Sequence, residues 1–333
     1  MPLALIPTAQ VAINLIVNRF MTASRPRVLV LNFMAELHQA MLAPHFELLY
    51  APTTVLRAAH IAADGATIRA VLTIGSVGLT ATEMDALPAL EIVCALGVGF
   101  ENIDVAHARA RGLVLANGAG TNDDCVADHA FALLLAVVRN VPQLDRQCRQ
   151  GVWRDALPLP ASVAHRRMGI VGLGGIGHKV AQRALGFGMQ IGYHGRKPQP
   201  QVAHTYFADM VALAAWADFL VVATPGGPAT RHLVGVEVLA ALGSGGYLVN
   251  VSRGSVVDTA ALAAALRAGQ LAGAGLDVYD SEPQPPAELL DLDTVVLTPH
   301  VGGWSPQAIE ASVQRFIENA TRHFAGQPVV SPI

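Results

Sequence analysis

The sequence predicts an α/β protein with parallel sheets in two domains, and three observations predict it. Short Val/Leu/Ile runs alternate with Ala-rich helical stretches, the pattern of buried parallel strands joined by crossover helices. The chain has 333 residues, of which 52% are apolar, so it exceeds what one hydrophobic core usually serves and can fill two. The alternation also runs in two series, divided by the long apolar stretch "DDCVADHAFALLLAVVRNVPQLDRQCRQ" at 123–150.

The elements follow in order. Residues 3–17, "LALIPTAQVAINLIV", are broken by Pro, Thr, Gln and Asn, are too short to span a bilayer and follow no positive segment; residues 1–25 read as an N-terminal extension, with folded sequence from "RPRVLVLNF". Strands are expected at "RVLVLNF" (27–33), "AVLTIG" (70–75), "EIVCAL" (91–96) and "LVLAN" (113–117). The stretch at 123–150 reads as one long helix with apolar positions too numerous for a single stripe, hence buried on more than one side, between domains or subunits. A second series of strands follows in "RMGIVGLG", "MQIGYHG", "DFLVVATP", "GYLVNVS", "LAGAGLDVY" and "TVVLTPH". A last helix is expected at roughly 305–325, returning to the first domain.

Charge excludes some functions. With 22 basic and 25 acidic residues the net charge is -3 and no segment is strongly basic, which argues against nucleic acid as a partner. Cys94, Cys125 and Cys148 lie far apart and form no CxxC, so they read as reduced thiols of a cytoplasmic protein and no metal site is expected.

"VGLGGIG" (171–177) carries Gly172, Gly174 and Gly177 in a G-x-G-x-x-G spacing, directly after a strand and before a helical run. Such glycines permit a tight turn, close approach of the backbone to a pyrophosphate, and close helix–strand packing. The next strand ends in "YHGRKP" (193–198), where an NAD site usually offers an acid to the ribose hydroxyls. Arg196 and Lys197 stand there instead, which favours NADP over NAD.

Ligands of open α/β sheets bind outside the carboxyl ends of the strands. Three such ends deliver Arg253 ("NVSRG"), Glu282 ("GLDVYDSEP") and His300 ("LTPHVGG"), a set suited to binding an anion and moving a proton. His300 alone, one of 12 histidines, would more often be structural; its convergence with the other two makes the case.

The ordered set "VGLGGIG", "NVSRG", "DVYDSEP" and "TPHVGG" resembles the D-isomer-specific 2-hydroxyacid dehydrogenases, and "HGRK" with "ATPGGPATRHLV" (223–234) is similar to their glyoxylate/hydroxypyruvate reductase branch. The resemblance implies two Rossmann-like domains with parallel sheets and a homodimer. The substrate domain is split between residues 26–118 and 304–333, with a dinucleotide domain at 119–303. It makes His300 the proton donor, Glu282 its carboxylate partner and Arg253 the clamp on a 2-oxo acid. The backbone amides of Val98 and Gly99 in "LGVGFENID" would hold the substrate carboxylate, and Ser76, Val77 and Gly78 would line the opposite wall. Asp277 would meet the nicotinamide carboxamide, and Thr224 and Pro225 the adenosine side. Gly175, Ile176, Val251, Ser252, His300 and Gly302 would also border the cofactor. Asp104 and Asp258 read as helix caps.

Two positions depart from the family's habit: Asp128 where Glu is common and Ala119 where Pro is frequent. The resemblance implies NADPH-dependent reduction of a small 2-oxo acid to the D-2-hydroxy acid. Alternatives are a phosphoglycerate dehydrogenase using NAD, a formate dehydrogenase, which Glu282 argues against, and a dinucleotide-sensing corepressor of the same fold. Trp304, Leu157 and Pro158 are candidate walls of the substrate pocket, the last two from a partner subunit.

Overall fold

The structure, a computed structural model, describes residues 25–333; the extension expected at 1–25 therefore lies outside it except for Arg25. The chain divides into two compact units. Among the described residues the smaller comprises 25–96, Asn102–Ala116 and Phe316–Ile333; the larger comprises Gly97–Glu101 and Asn117–Arg315.

In the smaller unit, β1 (Arg27–Val30), β2 (Glu47–Tyr50), β3 (Ile68–Thr73), β4 (Ile92–Ala95) and β5 (Val114–Ala116) form a parallel sheet of order β2-β1-β3-β4-β5. Its central strands are covered on both faces, so Val28, Leu29 and Val30 on β1 are all fully buried instead of alternating with polar residues. Short helices between the strands start on side-chain caps: Thr80 and Glu83 make a reciprocal capping box, and Asp104 accepts from His107 N as the sequence predicts. The chain's end closes this unit, with Ile333 N donating to Leu115 O and the Phe316 ring 5.5 Å from that of Phe46.

The larger unit holds β6 (Arg167–Val171), β7 (Gln190–His194), β8 (Thr205–Tyr206), β9 (Phe219–Val222), β10 (Tyr247–Asn250), β11 (Gly273–Leu276) and β12 (Val295–Leu297). They pair in parallel in the order β12-β11-β10-β9-β6-β7-β8. Order therefore reverses between β6 and β9, and the doubly wound rule places a ligand crevice at the carboxyl ends there. Both sheets are doubly wound, the smaller in flavodoxin order and the larger in Rossmann order with an extra strand, in agreement with the expected fold class.

The apolar stretch at 123–150 is two helices, not one: Asp123–Val138 and Val141–Arg149, bent by 56°. Asn140 between them is left-handed (φ 53), and Pro142 in the first turn of the second helix could not donate back to the first. The first of these helices is buried within the larger unit, against β10, β11 and the Gly175–Gly186 helix. Leu133 and Leu134, at 2% and 0% exposure, are each worth about 1.5–3 kcal/mol of burial. Strands β2 and β8 were not expected; β8 is two residues long and both are short edge strands whose residues are only partly covered. Residues 97–101, 117–118 and 304–315, expected with the smaller domain, cluster with the larger unit. Hydrogen bonds from Gly118 N to Gly97 O and from Asn117 Nδ2 to Val98 O hold the first of these segments there. The final helix runs Pro306–Phe324. Among the described residues no single helix is long and apolar enough to cross a membrane, and no cluster of three His, Cys, Asp or Glu side chains could hold a metal.

Candidate active site

The glycine-rich turn joins β6 to the 12-residue Gly175–Gly186 helix at the point where strand order reverses. Gly172 has φ +93, and a Cβ there would stand 2.7 Å from Thr224 Cα, so backbone conformation and the neighbouring β9 loop both demand glycine. At Gly177 a Cβ would stand 2.1 Å from Gly172 O, which is how the helix lies so close to the turn. Gly174, at the helix N-cap, is different: a Cβ would meet nothing within 4 Å. No packing among the described residues explains a glycine there, whereas a pyrophosphate against the first helical N–H groups would. A dinucleotide thus fits the turn. Gly175 and Ile176 form the first helical turn, with Asp123 Oδ2 against Gly175. Arg196 and Lys197 are exposed just beyond β7, and Gln199 latches their loop to the glycine turn by donating to Leu173 O at 2.8 Å. Thr224 and Pro225 follow β9 beside Gly172, and Val251 and Ser252 follow β10, both buried.

The turn after β10 is organised by Asn250. Its Oδ1 accepts from Ser252 N and Oγ, and its Nδ2 donates to Arg253 O, which sets the direction in which Arg253 leaves the strand. The guanidinium donates through Nε to Glu101 Oε1 (2.6 Å) and through Nη1 to Ser252 O (2.5 Å). Its Nη2 lies against Gly99, where an added Cβ would stand 1.9 Å from that nitrogen. Val98 and Gly99, the expected carboxylate-binding amides, thus lie on the segment over which Arg253 is folded.

After β11, Glu282 accepts from Tyr279 N through Oε1 (2.9 Å) and meets His300 Nδ1 through Oε2 at 2.8 Å. The hydrogen bond to Glu282 raises the His300 pKa above the ordinary imidazole value, with burial and the Arg253 charge opposing and the Glu282 charge adding to the rise. Burial pushes the Glu282 carboxyl up, but the bonds from His300 and Tyr279 N and the charges of His300 and Arg253 outweigh it and hold it below the usual value. Arg253, Glu282 and His300, predicted from three separate strand ends, are therefore one electrostatic group. Glu282 bonds Nδ1, so Nε2 is the ring atom left to face a reactant.

His300 itself is left-handed (φ 54), a conformation that a non-glycine residue keeps only when its surroundings impose it. Asp277 imposes it: its backbone carbonyl accepts from His300 N, Oδ1 accepts from Val301 N and Thr298 Oγ1, and Oδ2 accepts from Gly302 N. His129, from the buried helix, completes the network at 2.8 Å from Thr298 Oγ1 and 3.3 Å from Asp277. Burial pushes the Asp277 carboxyl up, but these donors hold it below its ordinary value. Asp277, expected at the nicotinamide carboxamide, is only 2% exposed, and in the structure its oxygens are engaged by the His300 loop. Gly302 is held by that same carboxylate.

Ser76, Val77 and Gly78 lie in the smaller unit, in the turn after β3. Asn102 Nδ2 donates to Ser76 O, while Thr73 Oγ1 and Arg57 donate to Gly78 O. Asp258 caps the Thr259–Arg267 helix through Ala261 N, as predicted. Asp128 pairs with Arg183 Nε at 2.7 Å on the surface of the buried helix, and Ala119 O accepts from Arg315. Trp304 is exposed, and so is most of the 153–161 segment that holds Leu157 and Pro158. Sequence reading passed over Glu101, His129 and Thr298. Glu101 had a signal, as a charge two residues after Gly99 in a loop already singled out. His129 had none, because its partners are distant in sequence.

Residues 131–302 match the family described as D-isomer specific 2-hydroxyacid dehydrogenase, NAD binding domain. The chain is 39% identical to the hydroxyphenylpyruvate reductase of Plectranthus scutellarioides, over 82% of this chain and 88% of that one. It is also 39% identical to a glyoxylate/hydroxypyruvate reductase of Arabidopsis thaliana, over 80% of this chain and 85% of that one. Among solved structures it resembles the NADPH-dependent glyoxylate/hydroxypyruvate reductase of Sinorhizobium meliloti in complex with NADP and malonate. There the TM-score is 0.85 at 38% identity, covering 93% of this chain and 97% of that one.

Proposed function

Since this chain belongs to the D-isomer specific 2-hydroxyacid dehydrogenases, we propose that it reduces a small 2-oxo acid, of the glyoxylate or hydroxypyruvate kind, to the D-2-hydroxy acid with NADPH. The observation that carries this reading is the His300–Glu282 contact beside Arg253, at strand ends that share a sheet with the dinucleotide turn.

A dinucleotide held at the turn of Gly172, Gly174 and Gly177 would supply the hydride for reduction of the substrate's C2 carbonyl. Arg253 and the amides of Val98 and Gly99 bind the substrate's carboxylate and fix its orientation, which supplies much of the rate. Glu282 favours the protonated form of His300, whose pKa its hydrogen bond raises. As charge grows on the carbonyl oxygen, Nε2 of His300 gives it a proton and Arg253 offsets what remains. Asp277 keeps the loop of His300 in its strained conformation throughout. One proton and one hydride are consumed for each 2-hydroxy acid formed, and His300 regains its proton from solvent.

Arg196 and Lys197 support NADPH over NADH, since both stand after β7 where a 2'-phosphate needs cations. We also read the split substrate domain as the smaller unit, with Ser76, Val77 and Gly78 as its substrate-facing residues. A homodimer fits the apolar side chains displayed at 151–160, where Trp153 is 69% and Leu159 98% exposed. Three free cysteines are in keeping with the cytoplasm.

The test is a panel of glyoxylate, hydroxypyruvate, pyruvate, phenylpyruvate and hydroxyphenylpyruvate, each assayed with NADPH and NADH. Oxidation of NADPH by at least one of the small acids, faster than that of NADH, is expected. Absence of turnover with every acid would overturn the reading.

A further inference from the structure

We propose that Glu101 is a positioning residue for substrate recognition: its carboxylate grips the Nε edge of Arg253 and so sets Nη2 over Gly99, where the substrate's carboxylate binds. The proposal rests on the function proposed above and adds to it a residue outside the Arg253, Glu282 and His300 group.

An arginine side chain is long, and a bidentate clamp works only if its planar fork is held in one orientation. Here two of the three guanidinium nitrogens are held, Nε by Glu101 at 2.6 Å and Nη1 by the Ser252 carbonyl at 2.5 Å. The third, Nη2, is pressed on the backbone of Gly99, as the 1.9 Å separation from an imagined Cβ records. Glu101 lies on the same segment, Gly97–Glu101, as the amides of Val98 and Gly99. That segment is tied down by Gly118 N to Gly97 O (2.9 Å) and Asn117 Nδ2 to Val98 O (2.8 Å). The carboxylate thereby couples the clamp to the amides that share its ligand, so both move as one.

Stability does not account for the contact. The side chains of Arg253 and Glu101 are 30% and 38% exposed, a setting in which an ion pair contributes little to folding. Nor is attraction to Arg253 alone enough to orient it, because Arg253 also feels the charge of Glu282. With Glu101 gone, the Nε edge loses its anchor, only the Nη1 bond to Ser252 O still fixes the fork, and the pull of Glu282 is no longer balanced by a second carboxylate. The rival reading is that Glu101 occupies the substrate's own place, since its Oε2 also overhangs Gly99, 2.6 Å from the same imagined Cβ. The two readings predict opposite changes in KM.

Steady-state kinetics of wild type, Glu101→Gln and Glu101→Ala with NADPH and the best 2-oxo acid decide between them. The alanine variant should raise KM for the 2-oxo acid about tenfold or more and lower kcat, with KM for NADPH changed less than about twofold. Glutamine keeps an acceptor for Nε–H and nearly the same shape, so it should fall between the two. A KM for the 2-oxo acid that is unchanged, or lower, in the alanine variant overturns the proposal. The contact is read separately by NMR of arginine Nε–H groups: one slowly exchanging signal should be present in wild type and absent in both Glu101→Ala and Arg253→Lys. Its absence from wild type also overturns the proposal. Wild-type enzyme inert toward every 2-oxo acid would sink the functional reading and this role with it, whereas active wild type with an equally active alanine variant would sink only the role of Glu101.

Discussion

Glu282 meets His300 at 2.8 Å through Nδ1, and the carboxylate that makes this contact is itself steadied by Tyr279 N. One carboxylate thus favours the charged imidazole and fixes its orientation, leaving Nε2 for the proton transfer proposed above.

The pH profile of reduction should report that pair. Because the hydrogen bond to Glu282 raises the His300 pKa, the protonated ring persists above the ordinary imidazole value, and reduction should fade as pH rises through the raised value. Oxidation of the hydroxy acid should gain over the same range. In Glu282→Gln the reductive limb should move to lower pH; a shift of about one unit corresponds to about 1.4 kcal/mol. The check is a pair of profiles measured where hydride transfer limits the rate, and coincident curves would place the proton donor elsewhere. His300→Ala should lower kcat by about 100-fold or more, with a smaller effect on NADPH binding.

Arg253→Lys keeps the charge but loses the fork. Nε, which bonds Glu101, and Nη1, which bonds Ser252 O, have no joint counterpart in an ammonium group. Both KM for the 2-oxo acid and kcat should worsen, each by about tenfold or more. Kinetics equal to wild type would rule out recognition by a planar fork.

Arg196 stands exposed after β7, where only a 2'-phosphate distinguishes the two cofactors. Arg196→Ala should raise KM for NADPH about tenfold and leave that for NADH nearly unchanged, since charge-assisted bonds to phosphate are the interaction removed. Parallel initial-rate series with the two cofactors measure this, and equal effects would remove Arg196 from the site.

Asp277 accepts from Val301 N, Gly302 N and Thr298 Oγ1 while nearly buried. Asp277→Ala leaves these donors without their partner and should cost about 2–4 kcal/mol, read as a lower denaturant midpoint. Its carboxyl is held below its ordinary pKa, so the stabilisation is present above the unfolded value and is lost as pH falls through the lowered one. Activity should fall as well, because the left-handed backbone of His300 loses its support. A variant as stable and as active as wild type would show that the loop holds itself.

Much of this was legible in the primary structure, for physical reasons that differ by element. Buried parallel strands such as Val28–Val30 announce themselves as unbroken apolar runs, because both faces are covered. Gly172 and Gly177 are legible because only one residue type fits a positive φ or a close carbonyl, and Arg253, Glu282 and His300 because each stands at a strand's carboxyl end. Edge strands β2 and β8 lack that covering and leave a weaker trace. The bend at Asn140 came down to one left-handed residue inside a pattern that otherwise reads as helix. Tertiary structure alone decided the rest. Glu101 reaches Arg253 across 152 positions and His129 reaches Thr298 across 169. Hydrogen bonds of this kind depend on where the sheet's loops are brought together, and periodicity along the chain carries no record of them.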